Sequence, residues 1–154
     1  MMKKLWLMVQ SLLLALTLAT PLWASSHGGH GAAASGQSLF VNIASDDLNR
    51  AVMAIGMPHK VLQMKKIPVT LFFNAEAVRL LNKNIPAHAR SGGADIHAML
   101  RSFMQDGGVV IVCPMCMTQV GGMTADDLIE GVTLGGPDAT WPPLFAPGAV
   151  VLSY

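Results

Sequence analysis

Residues 108–117 read GVVIVCPMCM. A glycine, three β-branched valines and an isoleucine make a short apolar run of strand formers. Such a run, without polar alternation, predicts a strand over 109–112 buried on both faces, as in a parallel sheet. It runs straight into both cysteines of the chain. Residues 67–73 (IPVTLFF) carry a second run of the same kind. Between the two lies a helical pattern: Asp95 as cap, Ile96, Met99, Leu100 and Phe103 on one face to Gln105, and Asp106-Gly107-Gly108 as the stop. Strand, helix and strand in that order predict a right-handed crossover between parallel neighbours.

The pattern extends in both directions. Leu39, Val41 and Ile43 alternate with polar neighbours and predict a strand ending near Ala44. Ser45-Asp46-Asp47 reads as an N-cap with acidic first-turn residues. Leu48, Val52 and Ile55 follow at helical spacing until Gly56 and Pro58 interrupt, and Val61, Leu62 and Met64 suggest another short turn. Residues 75–81 read as a short helix and 82–94 as a loop. Beyond the cysteines come a Gly121-Gly122 loop, a helix over 125–130 capped by Thr124, and a short strand over 131–134. Residues 135–148 carry four prolines and Trp141, and a last strand covers 149–153. The expected fold class is α/β, with a mostly parallel sheet covered on both faces.

The chain has 154 residues, of which 52% are hydrophobic and only 12% charged. That length suits one domain. The charged fraction is about half the usual ~25%, and the apolar excess excludes a disordered chain. A formal net charge of +1 gives no electrostatic footprint for nucleic acid. Part of the excess sits at the start. Met1-Met2-Lys3-Lys4, an apolar stretch over 5–18 and small residues at Ala24-Ser25-Ser26 follow the order of a secretory signal. The stretch is shorter than the ~20 residues of a membrane span. The expected division is a signal over 1–24, a flexible Gly/His leader over 25–37 and an α/β domain over 38–154. Export places the mature chain in the periplasm or otherwise outside the cytoplasm, with no membrane anchor after cleavage. Loss of Lys3 and Lys4 leaves eight basic against nine acidic residues.

The chemistry concentrates in the cysteine loop. A Cys-x-x-Cys pair can close a disulfide, share a metal ion, or act as attacking and resolving thiols. A disulfide across so short a loop stabilises by only about 2 kcal/mol in the chain-entropy view, so Cys113 and Cys116 point to function. If the residues after Pro114 turn helically, backbone N–H groups favour a Cys113 thiolate. A thioredoxin-like oxidoreductase fits poorly, because Gly121-Gly122 leaves no room for the long helix that fold needs.

Three stretches taken together, VTLFFNAEAVRLL (69–81), GVVIVCPMCM (108–117) and GVTLGGP (131–137), resemble the DsrE/DsrF-like family. The resemblance implies a three-layer α/β/α fold and a homo-oligomer, often trimeric or hexameric. It also implies transfer of sulfur as a cysteine persulfide between donor and acceptor proteins, with the family's cysteine at Cys113. Export, the added Cys116 and the flanking Met115 and Met117 depart from the relay members.

Those methionines open a second reading. Two thiolates with thioethers from Met115, Met117 or Met123 form a soft set that selects Cu(I). The leader adds a nitrogen set: after cleavage at Ala24, Ser25-Ser26-His27 would offer an amine, two amides and an imidazole to Cu(II) or Ni(II), with His30 nearby. Met53, Met64, Met99 and Met104 read as core fillers, His88 and His97 as surface residues, and Asp46, Asp47, Asp126 and Asp127 as caps and first-turn charges. Trp141-Pro142-Pro143 reads as a packing or subunit-contact segment or as the lining of a ligand mouth. Phosphate loops, zincin helices and serine-triad motifs are absent. Three functions stand at this point: thiol-based sulfur or redox handling, a Cu(I)-binding module, and an oligomeric envelope protein with a structural disulfide.

Overall fold

The structure, a computed structural model, describes residues 36–89 and 92–154. The expected signal over 1–24 and most of the leader, with the Ser25-Ser26-His27 set and His30, lie outside the described residues. Five strands form one sheet: β1 (Ser38–Ile43), β2 (Val69–Phe73), β3 (Val109–Val112), β4 (Thr133–Leu134) and β5 (Ala149–Ser153). Their order is β4-β3-β2-β1-β5 and every pairing is parallel. Four α-helices accompany them: α1 (Leu48–Lys65), α2 (Ile96–Gln105), α3 (Pro114–Gln119) and α4 (Pro137–Leu144). A 3₁₀ segment spans Ala75–Leu81.

The order fixes the layers. From β1 to β4 the chain steps in one direction across the sheet, so right-handed crossovers put α1, α2 and α3 on one face. From β4 it returns to the far side of β1, which puts α4 on the opposite face. The first face carries the main core. Val41, Ile43, Leu71, Phe73, Val110 and Val112 point into it and meet Ala54, Ile55, Leu100 and Phe103, all buried. Among the described residues the second face is covered thinly, by α4 alone, and Val109 and Val151 are about half exposed.

Several local expectations change. Helix α1 does not stop at Gly56 but runs through Pro58 to Lys65. Its buried residues are Ala51, Ala54, Ile55 and Pro58, an i, i+3, i+4, i+7 stripe. Pro58 lies on that stripe, and burying its ring offsets the one backbone hydrogen bond it forfeits. Asp47 alone is the N-cap, accepting from the Arg50 N–H at 2.8 Å, while Asp46 pairs with Arg79 instead of capping. The helix expected over 125–130 is a single 3₁₀ turn, Ala125–Asp127, closed by a Thr124–Asp127 capping box. The proline-rich segment, in contrast, contains α4. Pro137 starts it from the first turn, where a missing N–H is harmless. Met53 and Met64 are exposed, at 58% and 78%, and fill no core. Their positions fall on the outer side of α1.

Candidate functional site

The cysteines sit at the carboxyl end of β3, between two strands. Cys113 N–H donates to the Phe73 carbonyl at 2.8 Å, and Gly135 N–H donates to the Val112 carbonyl at 2.8 Å. Both ladders therefore continue one step past the strands. Cys113 falls in register beside Asn74 on the β2 side and Gly135 on the β4 side. A side chain at Gly135 would stand 2.8 Å from the Val112 oxygen and 3.1 Å from the Thr140 hydroxyl, so only glycine lets this edge close.

Immediately after Cys113 the chain turns into α3. Pro114 is at the first helical position and Cys113 is the N-cap, its sulfur accepting from the Cys116 N–H at 3.4 Å. The sequence left open whether the chain turns helically here; it does, over six residues, too few for a thioredoxin-type helix. Both cysteines are free thiols, each partly exposed. They differ in environment. Burial, with a hydrogen bond to Cys113, pushes the Cys116 thiol above its ordinary value, while an N–H from Ala75 acts in the opposite sense.

The helical turn separates the two methionines. Met115 is 62% exposed, whereas Met117 is 5% exposed and packs in the core. Two residues apart on a helix are about 200° apart around its axis, so these thioethers do not converge on the cysteines as a pair. Met123 is likewise buried, its N–H bonded to the Met117 carbonyl. Among the described residues, no three of His, Cys, Asp and Glu cluster as a metal site.

Around the thiols lie residues that the sequence does not flag. Asn74 donates from its side-chain amide to the Asn42 oxygen, which ties the ends of β2 and β1. Arg79 bonds Asp46 at 3.0 Å and the Val120 carbonyl at 3.2 Å, holding the end of α3. Asn42 and Asn74 are 32 positions apart, and Arg79 and Val120 are 41. Only the strand alternation hints at Asn42, as a polar residue in an apolar strand. His59 has been similarly hidden: its Nε2 is 2.6 Å from Asp106, which also accepts from Gln63. Hydrogen bonds from Gln63 and then His59 hold the Asp106 carboxyl below its ordinary value. That cluster borders a groove of about 600 Å³ with Lys66, Pro68 and Gly107, at the amino ends of β2 and β3 and so at the end of the sheet away from the thiols. His97 bonds the Leu80 carbonyl at 3.0 Å and is half-buried, while His88 is exposed.

The DsrE/DsrF-like family matches residues 26–140. The chain belongs to that family. Its DsrE-like fold recurs in a Methanobacterium thermoautotrophicum protein of unknown function, MTH1491, at 15% identity and a TM-score of 0.61. It recurs also in the ychN protein of E. coli, at 22% identity and a TM-score of 0.55. Each likeness covers 77% of this chain and 99% of the other. No curated protein matches the chain. In this chain Cys113 follows β3, the strand next to the edge strand β4, and no helix among the described residues is long and apolar enough to cross a membrane.

The raised Cys116 value has a consequence for stability. A thiol whose folded value lies above its unfolded one keeps its proton in the native state after the unfolded chain has lost it. Stability therefore falls as pH climbs from the ordinary thiol value of 9.0 toward the raised one. Urea midpoints measured from pH 7 upward should decline above pH 9.0 more steeply in the native protein than in Cys116→Ala. Parallel declines in the two would show that this thiol makes no contribution.

Proposed function

We propose that this DsrE-like protein is exported and handles sulfur or redox equivalents through Cys113, with Cys116 as resolving thiol. The observation that supports the reading most is the asymmetry of the pair. Cys113 caps a helical turn at the carboxyl end of β3 and receives an N–H on its sulfur. Burial raises the Cys116 thiol above its ordinary value, which suits it to the second step and not to the first. In the first step the Cys113 thiolate attacks the outer sulfur of a donor persulfide. A new S–S bond forms, the donor's S–S bond breaks, and the donor leaves as a thiolate. In the second step the Cys116 thiolate attacks the Cys113 sulfur, hydrosulfide leaves, and the pair closes as a disulfide. A dithiol reductant then restores both thiols. The periplasmic leader reading places this chemistry where disulfides persist.

Mass analysis tests the reading directly. Cys116→Ser, reduced and then exposed to a small-molecule persulfide, should gain the mass of one sulfur atom, located on Cys113, whereas the native chain should go on to the disulfide and end two hydrogens lighter. A Cys116→Ser chain that gains none, or gains it elsewhere, refutes it. The Cu(I) reading keeps its two thiols, since one helical turn joins them and the Cys116 N–H lies on the Cys113 sulfur at 3.4 Å. Cu(I) titration of the reduced protein checks it: about one ion per chain, lost in Cys113→Ala/Cys116→Ala, is the result it requires.

A homo-oligomer is part of the proposal. Trp141 is 56% and Phe145 74% exposed, and with Val109 and Val151 they leave an apolar surface on the thinly covered side. Such surfaces mark contacts between proteins. Sedimentation velocity should find the native chain as a multimer and Phe145→Glu shifted toward monomer by about tenfold in dissociation constant or more. A native chain that is monomeric at high concentration would remove this part.

A further inference from the structure

We infer that His59, Gln63 and Asp106 form a binding site for a divalent ion of the zinc type, with its fourth position open to the groove beside them. The site is independent of the thiol chemistry: it lies at the amino ends of β2 and β3, and the cysteines lie at the carboxyl end of the sheet. Three head groups from two elements meet at one point. His59 Nε2 is 2.6 Å from Asp106 Oδ2, the Gln63 amide nitrogen is 2.8 Å from the same oxygen, and the two nitrogens are 3.3 Å apart. Ligand atoms held about 2.0–2.1 Å from a tetrahedral zinc lie about 3.3 Å from one another. Parting His59 and Asp106 by about 0.7 Å therefore admits the ion. An imidazole nitrogen and a carboxylate oxygen are ordinary zinc ligands. The Gln63 amide brings its oxygen to the same place by turning over, because its two ends have the same shape. A tie built only for hydrogen bonding would use both carboxylate oxygens. Here two donors stand side by side on one of them, and an ion at the meeting point relieves that crowding.

The frame is set without the ion. His59 and Gln63 are four residues apart on α1 and share one side of it. The His59 ring stands edge-on to Phe103, with centroids 5.7 Å apart, and its side chain is only 15% exposed. Asp106 closes α2 with its N–H on the Ser102 carbonyl at 3.0 Å, and the Gly107 N–H bonds the Met104 carbonyl at 3.0 Å. Gln63 and Asp106 line the groove of about 600 Å³. It has room for water or a small ligand at the fourth position, the arrangement of zinc sites with three protein ligands. Lys66 lines the same groove. Its charge opposes a cation there and at the same time favours the ionised Asp106. The set is invisible in the sequence, since His59 and Asp106 are 47 positions apart and the third ligand is an amide.

Zinc titration tests the site. The parent for the test is the full chain carrying Cys113→Ser and Cys116→Ser, which removes the thiols as competing ligands. Calorimetric titration of this parent with zinc chloride should show a site of about one ion per chain that Asp106→Asn weakens at least about tenfold. Asparagine keeps an oxygen for the two nitrogens and lacks the charge, so the fold is retained, and a thermal melt without zinc is the control. His59→Ala should remove the same site. His27 and His30 are common to all these proteins and cancel in the comparison. Zinc should also raise the melting temperature of the parent with increasing concentration, and raise that of His59→Ala less. Isotherms that coincide for the parent, Asp106→Asn and His59→Ala overturn the inference and leave the three residues as a hydrogen-bonded tie between α1 and the turn after α2.

Discussion

Cys113→Ser is expected to abolish sulfur loading, lowering it by three or more orders of magnitude, on the order of what removal of a covalent nucleophile costs. Serine keeps the N-cap, since its oxygen accepts from the Cys116 N–H as the sulfur does. The variant therefore folds, and a thermal melt close to the native one is the control. Cys116→Ser separates the roles. Loading on Cys113 should survive in it, because the nucleophile and its donor are intact. Release of hydrosulfide should slow at least about tenfold, because the attacking thiol of the second step is gone. Loading that survives in Cys113→Ser, or disappears equally in both variants, contradicts the assignment of roles.

Gly108→Ala is expected to be the most damaging single methyl group in the fold. A Cβ at this position would lie 2.2 Å from the tip of the Phe103 ring and within 2.6 Å of two more of its carbons. Phe103 is fully buried, so the ring has nowhere to swing. Gly108 is also tied in place, its N–H on the Phe103 carbonyl at 3.0 Å, and it leads directly into the strand that carries Cys113. Overpacking of this kind costs about 1–3 kcal/mol and occasionally more. Phe103→Ala alone should cost about 3–5 kcal/mol by leaving a cavity. The double variant should cost clearly less than the two together, because the new methyl occupies space the ring has vacated. Chemical denaturation of the four proteins checks it. Additive losses would mean that the two residues do not share that space.

A short stretch of sequence carries much of this architecture. Strand β3 is legible as four β-branched residues after a glycine, and α2 as an apolar face bounded by Asp95 and Gly107. Both coincide with the structure because their signals are local: side-chain shape, capping and the helical period act within a few residues. The exposed Met53 and Met64 were misplaced for the complementary reason. Their fate depends on which side of α1 meets the sheet.

The amino-acid sequence by itself determined the parallel α/β class and the place of Cys113 and Cys116 directly after the third strand, because propensity and spacing act along the chain. Only the tertiary structure decided that α1 runs through Pro58, since burial of that ring is a property of the packed stripe. It alone parted Met115 from Met117, made α4 from a proline-rich segment, and gave the two thiols unequal environments. The Asn42–Asn74 tie and the Arg79 clasp join residues distant in the chain, and contacts at that range exist only once the sheet has set its strand order and register.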